Sequence, residues 1–233
     1  MAETRDTDVE TEDLPSWQRP TTPEHRWPAY VAAAVVIAGQ SWVSSALSIR
    51  PAWIYPLVTG ILLLASLAVY LPSRTEPRRA LRYLSLGLTG ILVANSIAVL
   101  VLLIHGVFAG SGLTPGRLFL TGIIFWIVNI AVFALLFWEM DGRGPEARAK
   151  GDWEYPDLVY PQQQGGRDGL APPDWKPMFA DYLFTSLNTA TAFSPTEAMP
   201  YSRWAKLVMG FEAVISLATI AMLVARAINI ATG

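Results

Sequence analysis

The sequence predicts an all-α protein, a polytopic transmembrane helical bundle of about six membrane segments with a broken or re-entrant fifth element. Three observations predict it. Of 233 residues, 52 % are hydrophobic and only 15 % charged, against roughly a quarter charged in an ordinary soluble domain. The charges are also segregated. None falls between Trp27 and Ile49, between Pro51 and Ser73, or between Leu118 and Trp138, and between Arg82 and Arg117 only His105 and Tyr83 can titrate. A bilayer core takes about 20 apolar residues of helix, so each run is long enough to span. The third observation is an interruption: only 15 uncharged residues separate Asp181 from Glu197, which is short for an independent span.

Composition removes several function classes. Without cysteine there is no disulfide, thiolate metal site or cysteine nucleophile. A net charge of −2 gives no strong attraction to nucleic acid. His25 and His105 alone assemble neither a metal site nor bis-histidine haem ligation within one chain, so no cofactor is expected. No Ser/His/Asp set, HExxH or phosphate loop occurs, and the chain is not expected to be an enzyme.

The elements follow in order. Residues 1–21 begin MAETRDTDVETEDLP, with six acidic residues and one Arg. This has neither the basic start nor the short apolar core of a secretory signal, and it predicts a solvated, disordered acidic tail. Residues 22–139 predict a four-helix transmembrane scaffold. Thr22-Pro23-Glu24 and Thr114-Pro115 have the form of helix starts. Pro51 after Ser48-Ile49-Arg50 makes a tight connection, and the first two segments form an antiparallel hairpin. The third segment is expected from about Ala80 to Val107 and the fourth from about Leu118 to Glu139. Trp27, Tyr30, Trp53, Tyr70, Tyr83, Trp138, Tyr201 and Trp204 lie near segment ends, where an interfacial aromatic belt belongs. Asn95, Ser96, Asn129 and Asn188 are candidate interhelical hydrogen-bonding groups.

Residues 140–176 are rich in Gly, Pro and polar residues and predict a surface excursion packed on the helix ends. Lys and Arg are concentrated in the N-terminal tail, the second connection and this loop, against Arg50 and Arg117 on the other side. The positive-inside rule places the N-terminus and the loop in the cytoplasm of a cell-membrane protein.

Residues 177–233 carry the functional information. A helix is expected to end near Thr191, and Ser194-Pro195-Thr196-Glu197 has the form of a capping box that starts another. The last segment runs from Tyr201 to about Ile230. Non-helical backbone at membrane depth persists only where protein or water satisfies it, and such breaks present helix ends and carbonyls to ions. The charges leave two topologies open: residues 178–200 cross as a short sixth span, or they re-enter from the cytoplasm. Arg203 and Lys206 favour an inside position before the last helix, while Arg226 favours an inside C-terminus; six crossings are slightly preferred. Glu212 has apolar neighbours on both sides, and a charge there is costly unless it is paired or faces water. Its expected partners are Lys206, the basic ends of other helices, or Thr185 and Asn188 across the break.

The run from Asp181 to Pro200, DYLFTSLNTATAFSPTEAMP, resembles the pore helix and filter of potassium channels: an aromatic-rich short helix, a Thr-rich turn, an acidic residue and then a proline. The helix after it resembles their inner helix. The stretch 178–230 is also similar to the C-terminal end of a class of uncharacterised bacterial multi-pass proteins. The resemblance implies ion conduction or ion binding, a monovalent cation and a homo-oligomer in the lipid bilayer. The pore or ion-binding candidates are Asn188, Thr189, Thr191, Phe193, Ser194, Glu197 and Glu212. One departure stands out: no glycine occurs between Asp181 and Pro200, whereas a potassium filter needs glycine for its left-handed residues. The alternatives are a small transporter using the same break, or a non-conducting structural or interaction protein.

Overall fold

The computed structural model describes residues 14–47, 51–71, 79–109, 114–151, 153–164, 171–191 and 198–232. Its helices are α1 (Trp27–Ala46), α2 (Ile54–Tyr70), α3 (Arg79–Ala109), α4 (Pro115–Met140), the short α5 (Pro145–Lys150), α6 (Phe179–Thr191) and α7 (Arg203–Thr232). One two-residue pairing, β1 (Leu158–Val159) with β2 (Met199–Pro200), is antiparallel. Among the described residues, four helical stretches are long and apolar enough to cross a membrane: Trp27–Ala46, Arg79–His105, Gly116–Arg143 and Arg203–Ala225. Helix α2 is apolar but has 17 residues, about 25 Å of helix against a hydrocarbon core of about 30 Å.

Helix α4 is the centre of the bundle and packs on α1, α3, α6 and α7. The cause is its sequence, apolar all round: Phe125, Val128, Val132, Phe133, Ala134, Leu135, Phe137 and Trp138 are all buried. The other long helices are sided in the opposite sense to helices of a soluble protein. Their buried faces carry Gln40, Ser44, Thr59, Ser66, Ser96 and Ser216, while Val35, Leu57, Leu64, Val101, Val214 and Leu217 are exposed. Polar groups turned inward and aliphatic groups outward are the arrangement a lipid solvent selects, because only the interior offers hydrogen-bond partners.

Interior polar groups of α1–α3 form a satisfied network around Gln40. Gln40 donates to the Leu92 carbonyl and to Ser96, and its own carbonyl oxygen accepts from Tyr55 and from Asn95 at 3.1 Å. Asn95 and Ser96 are thus interhelical partners, through a glutamine the sequence does not single out. Of the aromatic belt, Trp27, Trp53, Tyr83 and Tyr201 are exposed, whereas Tyr30, Tyr70 and Trp138 are buried. Buried Tyr70 serves the ion-pair end instead: its hydroxyl contacts His25 and accepts from the Arg26 backbone N–H.

Two helix starts differ from expectation. Helix α1 begins at Trp27 with Pro28 in its first turn, not at Thr22-Pro23-Glu24. Helix α7 begins at Arg203, with Ser202 Oγ accepting from Ala205 N–H at 3.3 Å, and the residues before it are extended. The Ser194–Glu197 box lies outside the described residues. The chain from Leu14 also packs: Ser16 is buried and donates to the Gln163 carbonyl, and Trp17 donates to that of Glu154. Hydroxyl, indole and amide donors of Ser16, Trp17 and Gln18 bring this segment onto the loop.

Candidate intramembrane ion site

One end of the bundle is built by residues 140–176 and fixes where α6 sits. Helix α4 ends in a 3₁₀ turn, Asp141–Arg143, in which Gly142 (φ 55°) and Arg143 (φ 60°) take left-handed backbone. The turn aims Asp141 inward. Asp141 Oδ1 accepts from the Asp157 and Leu158 backbone N–H groups, both at 3.1 Å, and Oδ2 accepts from Tyr182 of α6 at 2.5 Å. Asp157 in turn accepts from Gly142 N–H at 3.1 Å and from the Trp204 indole of α7 at 2.7 Å. Two carboxylates therefore tie the end of α4, strand β1 and the starts of α6 and α7 together. A third holds the N-terminus of α6: Glu24 accepts from Phe179 N–H at 3.0 Å and from the Trp138 indole at 2.8 Å. A carboxylate at a helix N-terminus satisfies an orphan N–H and complements the helix dipole.

Next to this hub is a buried ion network. Arg26 donates to Glu139 at 2.7 Å, to Ser85 at 3.0 Å and, with both Nε and Nη2, to Glu146 at 2.7 Å, while stacking over Trp138. Burial alone would lower the Arg26 value; its two carboxylate partners raise it overall. For Glu146, burial pushes upward, and the hydrogen bonds and charge of Arg26 outweigh it and hold the carboxyl below its ordinary value. Burial also raises the Tyr160 phenol, whose hydroxyl pairs with Thr185 of α6 at 3.1 Å. Burial, with Arg148 nearby, pushes the Lys176 ammonium down to about 8.

From this end α6 runs 13 residues, about 20 Å, along α4 and α7. Its buried face carries Thr185, Ser186, Asn188 and Thr189, and its exposed face Leu183, Phe184 and Leu187. After Thr191 and residues 192–197, the chain is back beside the loop: Met199 and Pro200 pair with Val159 and Leu158, and Tyr201 N–H donates to the Asp157 carbonyl at 2.8 Å.

Glu212 of α7 is 0 % exposed and lies against α6, where Ser186 Oγ hydrogen-bonds its Oε1. Ser186 Oγ also lies 2.8 Å from the carbonyl oxygen of Ile130 in α4. The partner is thus Ser186, and not Lys206, a basic helix end, Thr185 or Asn188. Thr185 is spent on Tyr160 and on the Asp181 carbonyl. Several buried atoms around these helices have no partner among the described residues: Glu212 Oε2, Ser216 Oγ one turn further along α7, both side-chain polar atoms of Asn129 beside Ile130, and Asn188 Nδ2. In a low-dielectric interior each such atom costs free energy until water, a proton or an ion serves it.

The other sequence candidates fall as follows. Thr189 donates to the Thr185 carbonyl at 2.9 Å, and Thr191 hydrogen-bonds the Leu187 and Asn188 carbonyls at 3.0 and 3.2 Å, so both hydroxyls are used by their own helix. Phe193, Ser194 and Glu197 lie outside the described residues. Ser186 is the contact of Glu212, and Ser216 lies one turn further along α7. Asn129 was legible as a polar residue in an apolar run, while the two serines are indistinguishable in the sequence from others used as packing. No family model matches the chain, and neither a curated protein nor a solved structure matches it.

Proposed function

We propose that this chain is a carrier-type membrane protein that binds a small monovalent cation at Glu212, between α4, α6 and α7 of a single chain. The observation that carries this reading is a fully buried carboxyl with no basic partner among the described residues, one helical turn from Ser216, whose hydroxyl also has no partner among them. An intramembrane ionisable group of this kind is by default a functional group. Enclosure within one chain favours a carrier over a pore on an oligomer axis.

The proposal includes a topology. Both described flanks of α6 are tied to the same loop, which supports re-entry of residues 178–200 from that end, five crossings and a C-terminus on the far side. Among the described residues, Lys and Arg from Arg19 to Lys206 cluster at the loop end, against Arg117 and Arg226 at the other. The positive-inside rule then makes the loop end cytoplasmic. Arg203 and Lys206 cease to conflict with the count once the preceding element returns to its own side. A Cys at Met199 should be labelled by a membrane-impermeant reagent from the cytoplasmic face only; labelling from outside sinks this topology.

Reconstituted protein should move protons, sodium or potassium across liposomes, and Glu212→Gln should abolish the movement. Thr191→Ala should leave it intact, because that hydroxyl serves its own helix. Absence of flux for all three cations would overturn the reading. A second reading, an oligomeric channel, draws on the exposed apolar face of α6 formed by Leu183, Phe184 and Leu187. It requires a Cys at Leu187 to cross-link between copies in the bilayer.

A further inference from the structure

Ser186 has one hydroxyl proton and two neighbours that call on it. The Ile130 carbonyl oxygen, 2.8 Å away, can only accept. Glu212 Oε1 is the other neighbour, within hydrogen-bond distance of the same Oγ. If the hydroxyl donates to Ile130, the contact with Glu212 lacks a proton unless the carboxyl supplies it. An ionised Glu212 would claim the hydroxyl for itself and leave Ser186 Oγ facing the Ile130 oxygen with nothing between them. Only a protonated Glu212 satisfies both contacts: the carboxyl O–H donates to Ser186 Oγ, and Ser186 O–H donates to Ile130. The three groups belong to α7, α6 and α4, so the proton sits in the hydrogen-bond chain that joins all three helices.

We propose that the cation held at this site is a proton on Glu212, and that its release switches Ser186 from the Ile130 carbonyl of α4 to the Glu212 carboxylate of α7. The inference rests on Glu212 being the binding group of the proposed function. It adds the identity of the cation and the contact that reports on it. With the proton bound, α6 is tied to both neighbours. When the proton leaves, the hydroxyl proton follows the charge, the Ser186–Ile130 hydrogen bond is lost and the Ser186–Glu212 bond remains. No covalent bond between heavy atoms changes; one proton is gained or lost by the site. Glu212 Oε2 and Ser216 Oγ have no partner among the described residues.

Infrared spectroscopy of the full chain in lipid tests this independently of transport. The difference between wild type and Glu212→Gln at neutral pH should contain a carbonyl band of a protonated carboxyl that shifts in deuterium oxide. Ser186→Ala keeps Glu212 and should move that band to higher frequency by removing its hydrogen-bond acceptor, which also serves if the Gln variant does not assemble. Saturating sodium or potassium should leave the band in place. A difference spectrum containing only a carboxylate band would overturn the proposal, as would loss of the protonated band on adding sodium, which would make this a sodium site. A protonated band that ignores Ser186→Ala overturns the switch. A protonated band in a protein without flux preserves the proton site and removes the carrier reading.

Discussion

Arg26 and Glu139 meet at 2.7 Å with both side chains 2 % exposed, joining the chain just before α1 to the end of α4. Taking two charges out of water costs several kcal/mol each, and the pair recovers this only because Ser85 and Glu146 share the guanidinium.

Removing one member should therefore be worse than removing both. Glu139→Leu leaves a buried guanidinium that only Glu146 compensates, and should cost about 3–5 kcal/mol of stability. Arg26→Met with Glu139→Leu should recover a substantial part of that loss. Denaturant unfolding of the single and double variants in detergent measures the difference, and strictly additive losses would show that the two charges do not depend on each other.

Lys176 gives a pH signature. Its ammonium is pushed down to about 8 by burial and by Arg148, with Asp174 opposing, and it donates to the Arg148 carbonyl. In the unfolded chain the same group holds its proton to about 10.4, so the unfolded state binds more protons across that interval and stability must rise with pH there. The charge is a burden below the folded value, relieved as pH climbs through it. The thermal midpoint of wild type minus that of Lys176→Met should increase between about pH 8 and pH 10, the two values compared. A flat or falling difference contradicts the burial of that ammonium.

Asp141 is 1 % exposed and accepts from Tyr182, Asp157 and Leu158. Hydrogen bonds to a charged group contribute about 1.5–3 kcal/mol each. Asp141→Ala strands three donors and should be more damaging than Tyr182→Phe, which removes one. Limited proteolysis between Trp153 and Trp175 should report the order: rapid cleavage for Asp141→Ala, slower for Tyr182→Phe, slowest for wild type. Equal rates in all three would show that the loop is held by other contacts.

Gly39 brings α1 close to α4. A Cβ at this position would meet Val128 Cγ2 at 2.5 Å, and valine in a helix has little rotamer freedom with which to yield. Gly39→Ala should cost about 1–3 kcal/mol by overpacking. Val128→Ala on that background should return part of the loss, read from the same unfolding curves. A neutral Gly39→Ala would mean that the helices separate there at little cost.

The segments themselves were legible because hydrophobicity is a local property and a bilayer demands it in runs of known length. Charge-free runs announced α1 to α4, the length shortfall after Asp181 announced a helix that stops at Thr191, and the apolar context of Glu212 marked it out. What faces what could not be read, because Ser, Thr, Asn and Gln have the same identity whether they pack or bind. Gln40 proved the hub of one satisfied network, and Ser186, one hydroxyl among several on α6, proved the contact of Glu212. The long-range caps were equally hidden: Glu24 reaches Phe179 across 155 positions, and its Thr-Pro-Glu setting advertised a local helix start. Sequence alone thus determined an all-helical chain with membrane-length apolar helices. The tertiary structure decided that the start of α6 and residues 199–201 both lie beside the same loop, and that Ser186 stands between a carbonyl and a carboxyl, since such pairings join residues far apart in the chain.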